Sequence, residues 1–203
     1  MAISAADVKK LRELTDAPMM ACKKALDDAD GDIQKAADLV RERTGAKMDA
    51  RAADRTAADG IVYTYAHTPT PGQPPKVGVM LQLSSETDFV AKNDKFQALA
   101  HQLALHIAAM KPLVVSEDQV DPAMVDKERE FARKEAEESG KPAEIVERIV
   151  DGKVNKVYKE WVLLNQPFVM DDSRTVADVI SETQGVLGEK IEIARFARFE
   201  VGA

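Results

Sequence analysis

The run Glu86-Thr87-Asp88-Phe89-Val90-Ala91-Lys92 sets a carboxylate, an aromatic ring and a lysine side by side. It follows a strand-like apolar segment, Val77 to Leu83, and precedes a helix-periodic stretch from about Asp94 to Met110. Two fates are open to Phe89. The ring packs into its own core, the default for phenylalanine, or it is an anchor offered to another protein, since aromatic anchors carry much of the energy at interfaces. Other chemistry finds little support. The single cysteine, Cys22, cannot build a cysteine-rich zinc site, and on the apolar face of a helical stretch an inert thiol is expected. His101 and His106 are five positions apart and diverge around a helix. No G-x-x-x-x-G-K-[ST] or G-x-G-x-x-G run cradles phosphate, and no G-x-S-x-G elbow is present. The pairs Asp171-Asp172 and Asp27-Asp28 read as solvent-facing caps and turns. The residues therefore nominate no catalytic group, metal-ligand set or cofactor site.

Around this run the chain reads as three parts. Residues 1–45 form three short helices. Ser4 with Asp7 makes a capping box, and Ile3 with Val8 the accompanying staple. Val8, Leu11 and Leu14 share a face as far as the Thr15-Asp16-Ala17-Pro18 turn. Pro18 opens a second helix carrying Met19, Cys22, Ala25 and Leu26, which stops at Asp30-Gly31. Asp32 caps a third, with Ile33, Ala36, Ala37 and Val40 inward, ending at Thr44-Gly45. So small a unit suits docking better than catalysis.

Residues 46–60 predict a connector helix ending at Gly60. Residues 61–203 predict an α+β core, an antiparallel sheet packed by helices. Ile61 to Ala66 and Lys76 to Ser84 pair as a hairpin across a proline-rich loop. Phe96, Leu99, Leu103, Ile107 and Met110 recur at helical spacing. Residues 122–139 predict a solvated helix with Glu130 and Lys134 in i, i+4 order. After the Gly140-Lys141-Pro142 break, Val146, Val150, Val154, Val157, Trp161 and Leu164 form one stripe. Gln166-Pro167-Phe168-Val169 interrupts it. A short helix from Thr175 to Thr183 and a strand from Lys190 to Val201 follow, with Ile191, Ile193, Phe199 and Val201 on one face.

Residues 113–203 hold 13 basic and 20 acidic groups, which accounts for the whole net charge of −7. No segment forms the basic stripe that a phosphate backbone demands, which argues against direct nucleic-acid binding. No apolar run approaches the roughly 18 residues of a membrane span. Met1-Ala2-Ile3-Ser4 lacks the start of a secretory signal, and one cysteine closes no internal disulfide. A cytoplasmic location is expected.

The ordered runs Leu11-Arg12-Glu13-Leu14-Thr15, Met19-Met20, Cys22 to Leu26, Arg55 to Gly60, Thr87 to Lys92, Gly140-Lys141-Pro142, Ile149 to Lys153, Gln166 to Val169 and Arg198 to Val201 resemble the elongation factor Ts family. The likeness covers nearly the whole chain. Two positions depart: the family usually has glycine where Pro18 stands and asparagine where Ser84 stands. The resemblance implies a ubiquitin-associated-like N-terminal domain. It also implies guanine nucleotide exchange on elongation factor Tu, by an aromatic entering an apolar slot of that GTPase while its magnesium is displaced. Thr87, Asp88, Phe89 and Val90 are then the implied contacts, with Arg12, Met19, Met20 and Lys23 from the N-terminal unit, and His106. For Met19, packing inside the three-helix unit is the competing role. Likeness to short members further implies a homodimer. With Cys22 as its one cysteine, that dimer would be non-covalent. A binding adaptor without exchange activity is the alternative.

Overall fold

The structure, a computed structural model, describes residues 3–15, 17–52, 55–70, 72–139 and 142–202, and for 44–52 the backbone only. The chain divides into two compact units. One comprises residues 1–61, 83–99 and 178–192, the other 62–82, 100–177 and 193–203. A three-stranded antiparallel sheet of order β1-β2-β5 is built from Asp59–His67, Val77–Ser85 and Glu192–Glu200. The expected α+β class is what the structure has.

In the first unit, α1 (Ala5–Thr15), α2 (Met19–Asp28) and α3 (Ile33–Ala52) enclose Leu11, Cys22, Ala25, Leu26 and Ala36. The capping box is present. The Ser4 hydroxyl accepts from the Asp7 amide, and the Asp7 carboxylate from the Ser4 amide, both at 3.2 Å. Asp32 Oδ1 likewise accepts from the amides of Gln34 and Lys35 at 2.9 and 3.1 Å. Pro18 stands one place earlier than expected, as the N-cap of α2. Leu14 departs from the expected inward face and is exposed. Asp16 lies outside the described residues.

Two boundaries are corrected. α3 does not stop at Thr44-Gly45 but continues to Ala52. A single interior glycine costs about 1 kcal/mol of helix propensity, and the good helix formers around it outweigh that. Of the expected connector helix over 46–60, residues 53 and 54 lie outside the described residues, residues 55–58 are not helical, and Gly60 belongs to β1. Glycine is required there: φ is +139°, and a Cβ would sit 2.2 Å from the carbonyl oxygen of Leu83. Strand β2 turns Val79, Leu81 and Leu83 inward and leaves Met80 exposed. A four-residue helix, α4 (Asp88–Ala91), leads into α5 (Asp94–Met110), which buries Phe96, Leu99, Leu103 and Ile107 as its period predicts but leaves Met110, its last residue, exposed.

In the second unit, α6 (Pro122–Glu138) is capped by Asp121, whose Oδ1 accepts from the Ala123 amide at 2.9 Å. It is not simply a solvated helix. Val125, Ala132 and Ala136 pack against Val146, Val150 and Val154 of α7 (Ala143–Trp161). Its ion pairs reach across to α7: Arg129 to Asp151, Arg133 to Glu147 and Lys153 to Glu135. Exposed pairs of this kind contribute about 0–1 kcal/mol each, so the apolar stripe holds the hairpin. Gly140 and Lys141 lie outside the described residues.

A short antiparallel ladder that the pattern did not reveal joins β3 (Pro167–Phe168) to β4 (Asp171–Thr175). Helix α8 (Val176–Leu187) leads to β5. On β5 the expected apolar face fails toward the end: Ile193 is buried, but Phe199 is 73% exposed and Val201 is exposed as well. No helix among the described residues is long and apolar enough to cross a membrane.

Candidate functional site

Phe89 is 81% exposed, the most exposed large apolar side chain among the described residues. Its neighbours explain why. In α4 the inward positions are taken by Val90 and Ala91, both buried, so one helical turn leaves Asp88 and Phe89 facing solvent. Lys92 Nζ donates to Asp88 Oδ2 at 2.6 Å across an i, i+4 spacing. That hydrogen bond and the lysine's charge hold the Asp88 carboxyl below the usual carboxylate range.

The approach to α4 is tied down. Thr87 donates its amide to Glu189 Oε2 at 3.0 Å and its hydroxyl to Glu189 Oε1 at 2.6 Å. The preceding Glu86 Oε1 accepts from Arg55 Nη1 at 3.1 Å and from the Lys190 amide at 2.6 Å. Arg55 also donates to the carbonyl of Gly188, and Ser85 Oγ donates to the carbonyl of Thr87 at 3.0 Å. Glu189 and Lys190 fall in none of the sequence runs that mark the site. Partners separated by 102 and 104 positions leave no periodic signal.

On the three-helix unit Arg12, Met19, Met20 and Lys23 are all exposed, Met20 at 74%. Met19 does not pack into the unit's core; Cys22, Ala25 and Leu26 occupy the inward face of α2. Flexible thioethers left in water make an adaptable contact face. Leu14 adds an exposed apolar group, although the helical period places it inward.

His106 is placed differently from the other candidates. It is fully enclosed, stacked on Phe168 with ring centroids 5.7 Å apart. Nε2 lies 2.8 Å from Gln166 Oε1, and Nδ1 accepts from the Val169 amide at 3.1 Å. This network assigns the neutral tautomer with the proton on Nε2, and burial pushes the imidazole below its ordinary value. Direct contact with a partner would require the ring to leave its pocket, so its evident work is holding the 166–169 segment. A base depressed in the folded state costs stability once the unfolded chain takes up protons that the native ring resists. The unfolding midpoint is therefore expected to be full above about pH 6.5 and to fall below it. His106→Gln should flatten that slope in a pH series of thermal melts.

The model of the family described as elongation factor TS matches residues 3–203. A protein called elongation factor Ts from Oleidesulfovibrio alaskensis is 47% identical over 202 residues, covering 100% of this chain and 99% of that one. One of the same name from Alkaliphilus metalliredigens is 46% identical, covering 100% of this chain and 91% of its own length. Another from Nitratidesulfovibrio vulgaris is 43% identical over 203 residues, covering 100% and 98%.

Proposed function

The chain belongs to the elongation factor Ts family, and from that premise we propose that it is a guanine nucleotide exchange factor acting on elongation factor Tu. The observation that carries the reading is an unpacked aromatic, Phe89, on a helix whose approach is braced. An exchange factor need not touch the nucleotide. It must bind the empty GTPase more tightly than the loaded one, and linkage then weakens nucleotide binding by the same factor. Converting a nearly all-loaded population to a nearly all-empty one takes about 5.5 kcal/mol of differential binding.

Burying Phe89 in an apolar slot supplies on the order of 1.5–3 kcal/mol, which falls short alone. Thr87, Asp88 and Val90 place and flank the ring, and the partner's magnesium site is disturbed as it enters. Val90, being buried, acts by seating α4. The N-terminal unit, through Arg12, Met19, Met20 and Lys23, supplies the remaining contacts as a docking module. His106 belongs to the scaffold behind the contact surface. The test is a binding titration against nucleotide-free and GDP-loaded elongation factor Tu. The empty form should bind on the order of 10⁴-fold more tightly; equal affinities would leave a binding adaptor and no exchange.

The working unit is a non-covalent homodimer. Gln82 on β2 accepts from Arg195 on β5 at 3.0 Å, so both lie on one sheet face with the exposed Met80 and Phe199. Such an apolar surface suits burial against a second copy. Cys22 is enclosed and free, so it makes no covalent tie. Exchange activity per chain should fall steeply on dilution through the dimer dissociation constant, followed by sedimentation on the same samples. A fully active monomer would refute the dimer.

A further inference from the structure

We infer that Glu189, in the loop between α8 and β5, is a positioning residue for exchange: by tying Thr87 it fixes the direction in which α4 presents Phe89. This rests on the exchange reading above and extends it to a residue far along the chain. A single helical turn is too short to hold its own geometry, because nucleation fixes several residues for one hydrogen bond. Phe89, almost wholly in water, cannot orient the turn by packing. Thr87 stands at the N-cap position, where its hydroxyl would ordinarily accept from the first amides of the helix. It makes no such bond; the hydroxyl donates to Glu189 Oε1 and the amide to Oε2. Two charge-assisted bonds to one carboxylate fix both the position and the rotation of Thr87.

The carboxylate is itself anchored on both sides. Before it, the Gly188 amide donates to the Gln184 carbonyl at 2.7 Å, with Gly188 at a φ of +77° that suits glycine. After it, the Lys190 amide donates to Glu86, and the Ile191 amide donates to the buried Gln184 Oε1 at 2.8 Å. Arg55 spans the two sides, donating to Glu86 and to the Gly188 carbonyl. Glu189 is therefore the point where a rigid loop grips the residue just before Asp88-Phe89.

The test uses the full chain with Glu189→Ala, Glu189→Asp and Glu189→Gln, reading release of labelled GDP from elongation factor Tu against factor concentration. Glu189→Ala should lower the maximal release rate about ten-fold, with a smaller change in the half-saturating concentration. Glu189→Asp keeps the charge but is too short to reach both groups, and should fall about three-fold. Glu189→Gln should restore most of the rate. Its amide oxygen accepts from the Thr87 amide, and its NH₂ donates to the hydroxyl, which can exchange donor for acceptor.

A second readout needs no partner: 4-fluorophenylalanine labelling, with the Phe89 signal identified by its absence in Phe89→Leu. In Glu189→Ala the transverse relaxation of that signal should slow toward its value in the urea-unfolded chain, because the turn that carries the ring loses its tether. Unchanged maximal rates in the alanine and aspartate variants, a glutamine variant as impaired as alanine, or unchanged fluorine relaxation would each overturn the inference. If the wild-type chain fails to release GDP, the exchange reading falls, and the fluorine spectra still decide whether Glu189 positions Phe89.

Discussion

Phe89→Ala is expected to slow GDP release from elongation factor Tu by about 10- to 100-fold, the kinetic equivalent of burying one benzyl group. The same substitution should leave the unfolding midpoint within a degree or two, because an exposed side chain away from any cap or buried network changes stability by about 0.5 kcal/mol or less. Stability and activity are thus separated at this position. The mild stability effect follows from 81% exposure, and the large kinetic effect follows from the ring having no partner until the GTPase supplies one. The effect should fall mostly on the maximal rate, since the contact is realised most fully with the empty form. A wild-type rate in Phe89→Ala would move the exchange chemistry elsewhere on the surface. A collapsed melting transition would mean that the ring supports the fold.

Phe96→Ala should do the reverse. Phe96 lies in the first turn of α5 and is fully buried, so truncation leaves a cavity and costs about 3–5 kcal/mol. Against a total stability of about 5–15 kcal/mol for a typical domain, that is a large fraction. The melting midpoint should drop by roughly 10 °C or more. Nucleotide release should fall only in proportion to the unfolded fraction, and recover on cooling. If Phe96→Ala melts like the wild type, the burial pattern of α5 is misread. Thermal melts of the two variants in one buffer, with release rates on the same samples, read both effects.

The two phenylalanines also mark what the amino-acid pattern could and could not reveal. Phe96 belongs to a run with Leu99, Leu103 and Ile107, so the 3.6-residue period places it inward. Phe89 lies in a connection too short for any period, and general preference favours burying it; resemblance to a family, not periodicity, pointed outward. Local hydrogen-bonding signals carried over well: Ser4 with Asp7, and Asp32 ahead of α3, cap as expected. The apparent stop at Thr44-Gly45 misled because glycine only weakens a helix, and α3 runs through it. The charge-rich α6 hid its packing face because alanines supply much of its buried stripe. On β5, Phe199 reads as inward by type, yet it faces solvent. The Thr87–Glu189 and Glu86–Lys190 bonds join segments far apart in the chain, and only the fold brings those partners together.

The decisive measurement is the rate at which elongation factor Tu loses labelled GDP, followed by stopped flow with excess unlabelled nucleotide, with and without this protein. The expected result is a release rate that climbs with factor concentration to a plateau far above the spontaneous rate, with Phe89→Ala well below the wild-type curve. A spontaneous rate unaltered by wild-type protein at concentrations that saturate binding would contradict it.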